Sequence, residues 1–224
     1  LQSEQSRITK AGQAMQFGQL SVKAPLDIKR DVLDGEPTLT LNNLNLEAQV
    51  KALDLNLNET DSLATQSTSL KLTQSNIKFV SANLLSVIGA LELQSQQSRF
   101  TQAGQVIQYG QLNINTPLDI KRDALGLTAK SATTQIDMTD VSVALNSLAV
   151  ENETTHIGLS NLAVTIDPQE TLTASLTAEI QSNKLSVRQA GNTANYDIFN
   201  LSNSLSVRKE GDTITAKNTQ LDIN

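Results

Sequence analysis

His156 is the only histidine in the chain, in the stretch ENETTHIGLS at residues 151–160. An imidazole could ligate zinc, but zinc sites draw on several nitrogen or sulfur ligands. The chain has no second histidine and no cysteine. His156 therefore reads as an ordinary strand or loop residue. Carboxylates cluster as ETD at residues 59–61 and ENE at residues 151–153. A calcium loop needs denser oxygen ligands and a glycine turn, so both read as solvated turns. No glycine-rich phosphate loop, nucleophile elbow or kinase-like set is present. The expectation is no catalytic residue, no metal, no cofactor and no enzyme activity.

The remaining chemistry is basic. The heptapeptide PLDIKRD stands at residues 25–31 and again, letter for letter, at residues 117–123. It carries Lys29-Arg30 and Lys121-Arg122, and LSVRKE places Arg208-Lys209 in a related context. Two readings are open. The pairs form a ladder of cations that meets lipid headgroups, or they are charged strand ends that prevent edge pairing. Acids flank each pair, Asp27 and Asp31 for the first, which favours the second reading.

The heptapeptide closes a longer repeat. Residues 6–31 and 98–123 agree at 17 of 26 positions, and Ile8/Phe100, Met15/Ile107, Phe17/Tyr109 and Val22/Ile114 keep an apolar or aromatic class. A fainter third copy at residues 187–210 keeps Gln189-Ala190-Gly191 against Gln102-Ala103-Gly104, and Tyr196 against Tyr109. The chain reads as a tandem array in which one supersecondary unit is stacked on itself. Its units run over residues 1–97, 98–184 and a partial 185–224, about two and a half repeats in one continuous elongated domain.

The units must be strands. Leu20, Val22, Ala24, Leu26 and Ile28 alternate, as do Leu39 and Leu41, then Leu44, Leu46, Ala48 and Val50 after a phase change at Asn42-Asn43. Leu53, Leu55 and Leu57 follow, and Val141, Val143, Leu145, Leu162 and Val164 continue the habit. Period-two alternation marks half-buried strands. The intervening Asn, Ser, Thr, Asp and Lys suit a solvated face. Ala11-Gly12, Ala103-Gly104 and Ala190-Gly191 read as equivalent hairpin turns, with Asp34-Gly35 and Gly211-Asp212 as further turns. Pro25 and Pro117 mark an edge, a strand start or a bulge. The fold class is all-β: an antiparallel array with one leucine-rich face, which must curl, pair with a second sheet or hold apolar ligands.

Composition bounds the function. Aromatics are 3% of residues and there is no tryptophan, so burial falls to aliphatic stripes. The net charge is −6, which argues against nucleic-acid binding. No apolar run reaches the ~18 residues of a membrane span. The chain opens at Leu1 without a leader-like segment, which suggests a processed chain or an excised fragment.

Tandem β units with LTLNNLNLEAQ and NLAVTI phrases, and QAGQVIQYGQLNINTPLDI, resemble the AsmA-like superfamily of Gram-negative bacteria. The resemblance is one of style over nearly the whole chain and rests on no catalytic motif. It implies an elongated array curled into a taco-like groove. It also implies a periplasmic segment, tethered to the inner membrane through parts outside this chain. Its apolar groove would carry phospholipid, or another acyl-chain lipid, between inner and outer membranes. Candidate groove residues are Leu39, Leu41, Leu44, Leu46, Leu53, Leu55, Leu57, Val141, Val143, Leu145, Leu162 and Val164. The rival expectation is a structural or adhesive β-solenoid or fibre module with a closed leucine core and a protein-binding role. A partner strand at an open sheet edge is a further possibility.

Overall fold

The computed structural model describes residues 2–10, 13–25, 27–33, 36–58, 60–80 and 84–223. Among them there is no helix. Twelve strands form one antiparallel sheet: β1 (Gln2–Lys10), β2 (Gln13–Lys23), β3 (Asp27–Leu33), β4 (Glu36–Asn56), β5 (Ser62–Val80), β6 (Leu84–Gln102), β7 (Gln105–Asp123), β8 (Gly126–Leu145), β9 (Leu148–Ile166), β10 (Leu172–Gln189), β11 (Asn192–Glu210) and β12 (Thr213–Ile223). Neighbours in sequence are neighbours in space, except that β2 and β3 both pair with β4. The all-β array read from alternation is therefore the fold.

The turns follow local chemistry. Ala103-Gly104 and Ala190-Gly191 both have two successive positive φ values, the geometry of a two-residue hairpin turn whose twist matches the strands. Gly211 turns at φ 55°. Asn146 turns β8 into β9 at φ 49°. Ala11-Gly12, Asp34-Gly35, Leu26 and Glu59 lie outside the described residues.

Most strands run 18–21 residues, far beyond the usual five or six. They stay long because each is bent within the sheet. Gln5, Ala52, Gln97, Asp140 and Lys184 have φ between 43° and 52° in mid-strand, on every second strand from β1 through β4, β6 and β8 to β10. The ladder skips one or two pairs at each of them, with the register on either side unchanged. Together they make a seam of kinks across the sheet, each at a residue whose left-handed backbone breaks the strict alternation of its strand. A second seam passes through Asn43, Gly89, the 131–134 stretch and Asn161, where the register shifts. On β6 the seams stand eight residues apart, at Gly89 and Gln97, or ~26 Å of strand.

Burial shows the direction of both bends. Thr65, Ser95, Ser98, Thr155 and Ser182 at the first seam are buried, as are Ser75, Ser131 and Thr134 at the second. Gln66, Gln97 and Asp140, and Ala132 and Asn161, are exposed on the opposite side. The sheet is folded twice towards one face, as a three-sided trough with a base and two walls. Gly89 permits the second corner, because a Cβ there would overlap Ser75 Oγ.

These hydroxyls correct the assignment of Ser and Thr to the solvated face. Inside a corner there is room only for small side chains, and they satisfy one another. Thr65 Oγ1 lies 2.9 Å from Ser98 Oγ, Ser95 lies 2.8 Å from Ser98 and 2.9 Å from Thr68. At the other seam Thr116 lies 2.6 Å from Thr134 and 3.1 Å from Ser131. The repeat limits at 97/98 and 184/185 fall within β6 and β10, at the first seam. They mark the phase of the repeat rather than a break in the sheet, which runs on without interruption.

Candidate functional site

Directly opposed residues in a ladder project to the same face, so the register assigns each side chain to the inside or outside of the trough. On β4 and β5 the opposed pairs include Leu39 with Phe79, Leu41 with Ile77, Leu46 with Leu72, Leu53 with Thr65 and Leu55 with Leu63. Leu44 opposes Ser75 at the corner. On β8 and β9 they are Val141 with Asn152, Val143 with Val150, Leu145 with Leu148, Leu162 with Ser131 and Val164 with Ala129.

Eleven of the twelve candidate groove residues thus share the inner face. Leu57 does not join them. It follows the end of β4 in the turn to β5, where its N–H donates to the Asp61 carbonyl at 3.0 Å.

The kinks of the first seam keep this face continuous. At each one the inward phase moves by three residues instead of two. Val50 is followed inwards by Leu53, Tyr109 by Leu112, Met138 by Val141 and Tyr196 by Phe199. The rings of Tyr196 and Phe199 meet edge to face at 6.2 Å across the kink. Leu85, Val87, Leu91 and Leu93 on β6, and Ile107, Ile114, Leu118 and Ile120 on β7, join the same surface.

This inner surface is open. Phe17 is the one buried apolar side chain among the described residues. The leucines and valines beside it are partly exposed, and Leu39, Leu70 and Phe79 are each 36–40% exposed. A second layer would remove them from water, and a single bent sheet supplies none. An apolar surface this long, left wet, marks a site of contact with something apolar.

Nearly all of the charge is sorted to the outside. Lys23 and Lys71 flank Glu47, Lys184 meets Glu153, and Arg188 meets Glu151 at 2.8 Å, all on the outer face. His156 is also outside, with Nδ1 2.6 Å from Asp137 Oδ1. Among the described residues no group of three or more His, Asp or Glu could hold a metal. The hollows on the outer face mix small apolar and polar side chains. One of about 630 Å³ is lined by Ala163, Thr165, Thr173, Val207, Arg208 and Thr215 among others. It carries no constellation of reactive groups.

Fold and site together define a class: an open, single-sheet β trough whose inner surface is aliphatic and whose outer surface is polar. No protein-family model, curated protein or solved structure matches the chain.

Proposed function

We propose that the chain is a segment of a lipid-carrying trough protein. It holds the acyl chains of phospholipid, or of a related acyl lipid, against its inner face and lets them move along the sheet. One observation carries this reading: the inner face is apolar over both walls and the base, with small hydroxyls at the corners, yet its apolar side chains stay partly exposed along its length.

Each methylene withdrawn from water is worth ~0.8 kcal/mol. The inner side chains are repeated from strand to strand, so neighbouring positions hold a chain about equally well and none is a deep trap. Outside the corner hydroxyls the surface offers few hydrogen bonds, and it selects chains rather than particular headgroup structures. The resemblance to AsmA-like proteins fits this role and extends it to transport across the periplasm between inner and outer membranes. A closed, dry module would bury the leucines, and their half-exposure weighs against that alternative.

The test is transfer of a fluorescent phospholipid from donor vesicles to the purified chain. Wild type is expected to take it up. Leu55→Asp, which puts a carboxylate on the inner wall, is expected to lose most uptake while keeping its strand content. A charge in an open trough stays hydrated, whereas the same change in a sealed core leaves an unpaired buried charge and unfolds the protein. Unfolding by Leu55→Asp, with no uptake by wild type, would overturn the reading.

A further inference from the structure

The doubled basic dipeptide is split by the sheet. In each copy one cation points out and the next points in. The outward members are paired with outer-face carboxylates: Lys29 with Asp31 at 2.7 Å, Lys121 with Asp119 at 3.7 Å and Arg208 with Glu210 at 2.9 Å.

The inward members are Arg30, opposite Leu39, Arg122, opposite Leu85 and Leu127, and Lys209, opposite Leu172 and Ile214. All three are exposed, and none is in an ion pair among the described residues. They are also the only charged groups that the register turns to the inner face among the described side chains, and no carboxylate is there. All three stand at the same lip, near the C-terminal ends of β3, β7 and β11. Four strand spacings separate successive cations, or ~19 Å.

An unpaired cation beside leucines, at the rim of an apolar wall, matches an amphiphile with an anionic head and apolar chains. From Arg122 the wall descends through Ile120 and Leu118 to Thr116 at the corner, six residues or ~20 Å of strand. That exceeds the ~15 Å of one leaflet's hydrocarbon, half the bilayer core.

We propose that Arg30, Arg122 and Lys209 form a rim that binds the phosphate of a phospholipid whose acyl chains lie on the wall below. The proposal rests on the lipid-trough reading and adds headgroup charge selection to it. The rim works as stepping points along the trough, one for each copy of the sequence repeat. Guanidinium and ammonium groups both bind phosphate, so the Arg-to-Lys change in the third copy keeps the function.

The experiment compares retention of phosphatidylglycerol and of diacylglycerol with the same chains, both offered in mixed detergent micelles. Wild type should favour phosphatidylglycerol by about fivefold, as a partly exposed charge contact gives, and the preference should shrink in about 0.5 M salt. The triple variant Arg30→Gln, Arg122→Gln, Lys209→Gln should lose the preference and hold diacylglycerol as wild type does. The outward triple variant Lys29→Gln, Lys121→Gln, Arg208→Gln removes the same charge and should keep the preference.

Equal retention of the two lipids by wild type would overturn the rim and leave the trough standing. So would an inward variant that keeps its preference, or an outward variant that loses it equally. Displacement of phosphatidylglycerol by inorganic phosphate alone would make the rim a free-anion site and overturn the lipid assignment. Failure of wild type to retain either lipid would overturn the trough and the rim with it.

Discussion

The two copies of PLDIKRD fold in different company. The first lies at the sheet edge, where β3 pairs with β4 alone, and regular strand stops at Ala24 and Pro25 before resuming at Asp27. The second lies inside β7, with β6 on one side and β8 on the other, and the strand runs through Pro117 unbroken. Pro117 sits where the β7–β8 register is already interrupted, so its missing N–H costs little there. Ile28 is 59% exposed at the edge, whereas Ile120 between two strands is only partly so. Even the ion pairs differ, since Lys29 turns to the aspartate after it and Lys121 to the one before it. The sequence unit fixes which face each residue takes. The neighbouring strands decide whether the unit is one strand or two.

The contrast can be broken most severely at the centre. Gly89→Val beside β7 should place a branched side chain against Ser75 and prevent the second corner. The expected loss is about 3 kcal/mol or more, measured by urea unfolding, with no equal cost from a substitution at the exposed Val32. Next in size, Ile120→Ala should cost about 1–2 kcal/mol, and Ile28→Ala less than about 0.5 kcal/mol, because only the central copy removes much apolar area from water. Equal costs would mean that the two copies are packed alike. Hydrogen exchange sharpens the same point: amides of β3 should exchange on the order of 100-fold faster than those of residues 119–123, since an edge segment opens locally at lower free energy.

The smallest expected effect concerns the turns. Asp61 Oδ1 accepts from the Ala103 N–H at 3.1 Å, and its other oxygen accepts from the Asn58 amide at 2.8 Å. These hydrogen bonds, Asn58 first, hold its carboxyl below the usual carboxylate range. The depressed pKa means that Asp61 contributes stability above its unfolded pKa and loses it as pH falls through the folded value. Asp61→Asn should lower stability slightly near neutral pH, where the carboxylate is charged, and flatten the loss of stability in that acid window. An unchanged acid profile would show that this clamp is not formed.

Much of this fold is written in alternation. Leu20 and Val22, Leu44 to Val50, and Val141 to Leu145 declare strands and one shared face, and Asn42-Asn43 declares the phase change that proves to be a bulge at Asn43. The other corners are hidden. At Val50 to Leu53 and Ser95 to Ser98, two outward residues stand between inward ones, and such a spacing resembles a loop. Small hydroxyls then line the corners, so period-two reading sends to solvent the side chains that are most buried. The inward member of each basic pair is legible, since Arg30 stands two residues after Ile28 and Arg122 two after Ile120. That the three cations line one lip is not, because it follows from the ladder through Leu39, Leu85, Leu127 and Leu172.

Native mass spectrometry of the purified chain, with lipid extraction of the same sample, tests the central claim most directly. The account predicts bound phospholipid that survives washing, with more than one molecule on each chain because the trough repeats. A chain that is free of lipid, and stays free when phospholipid is offered in detergent, would contradict it.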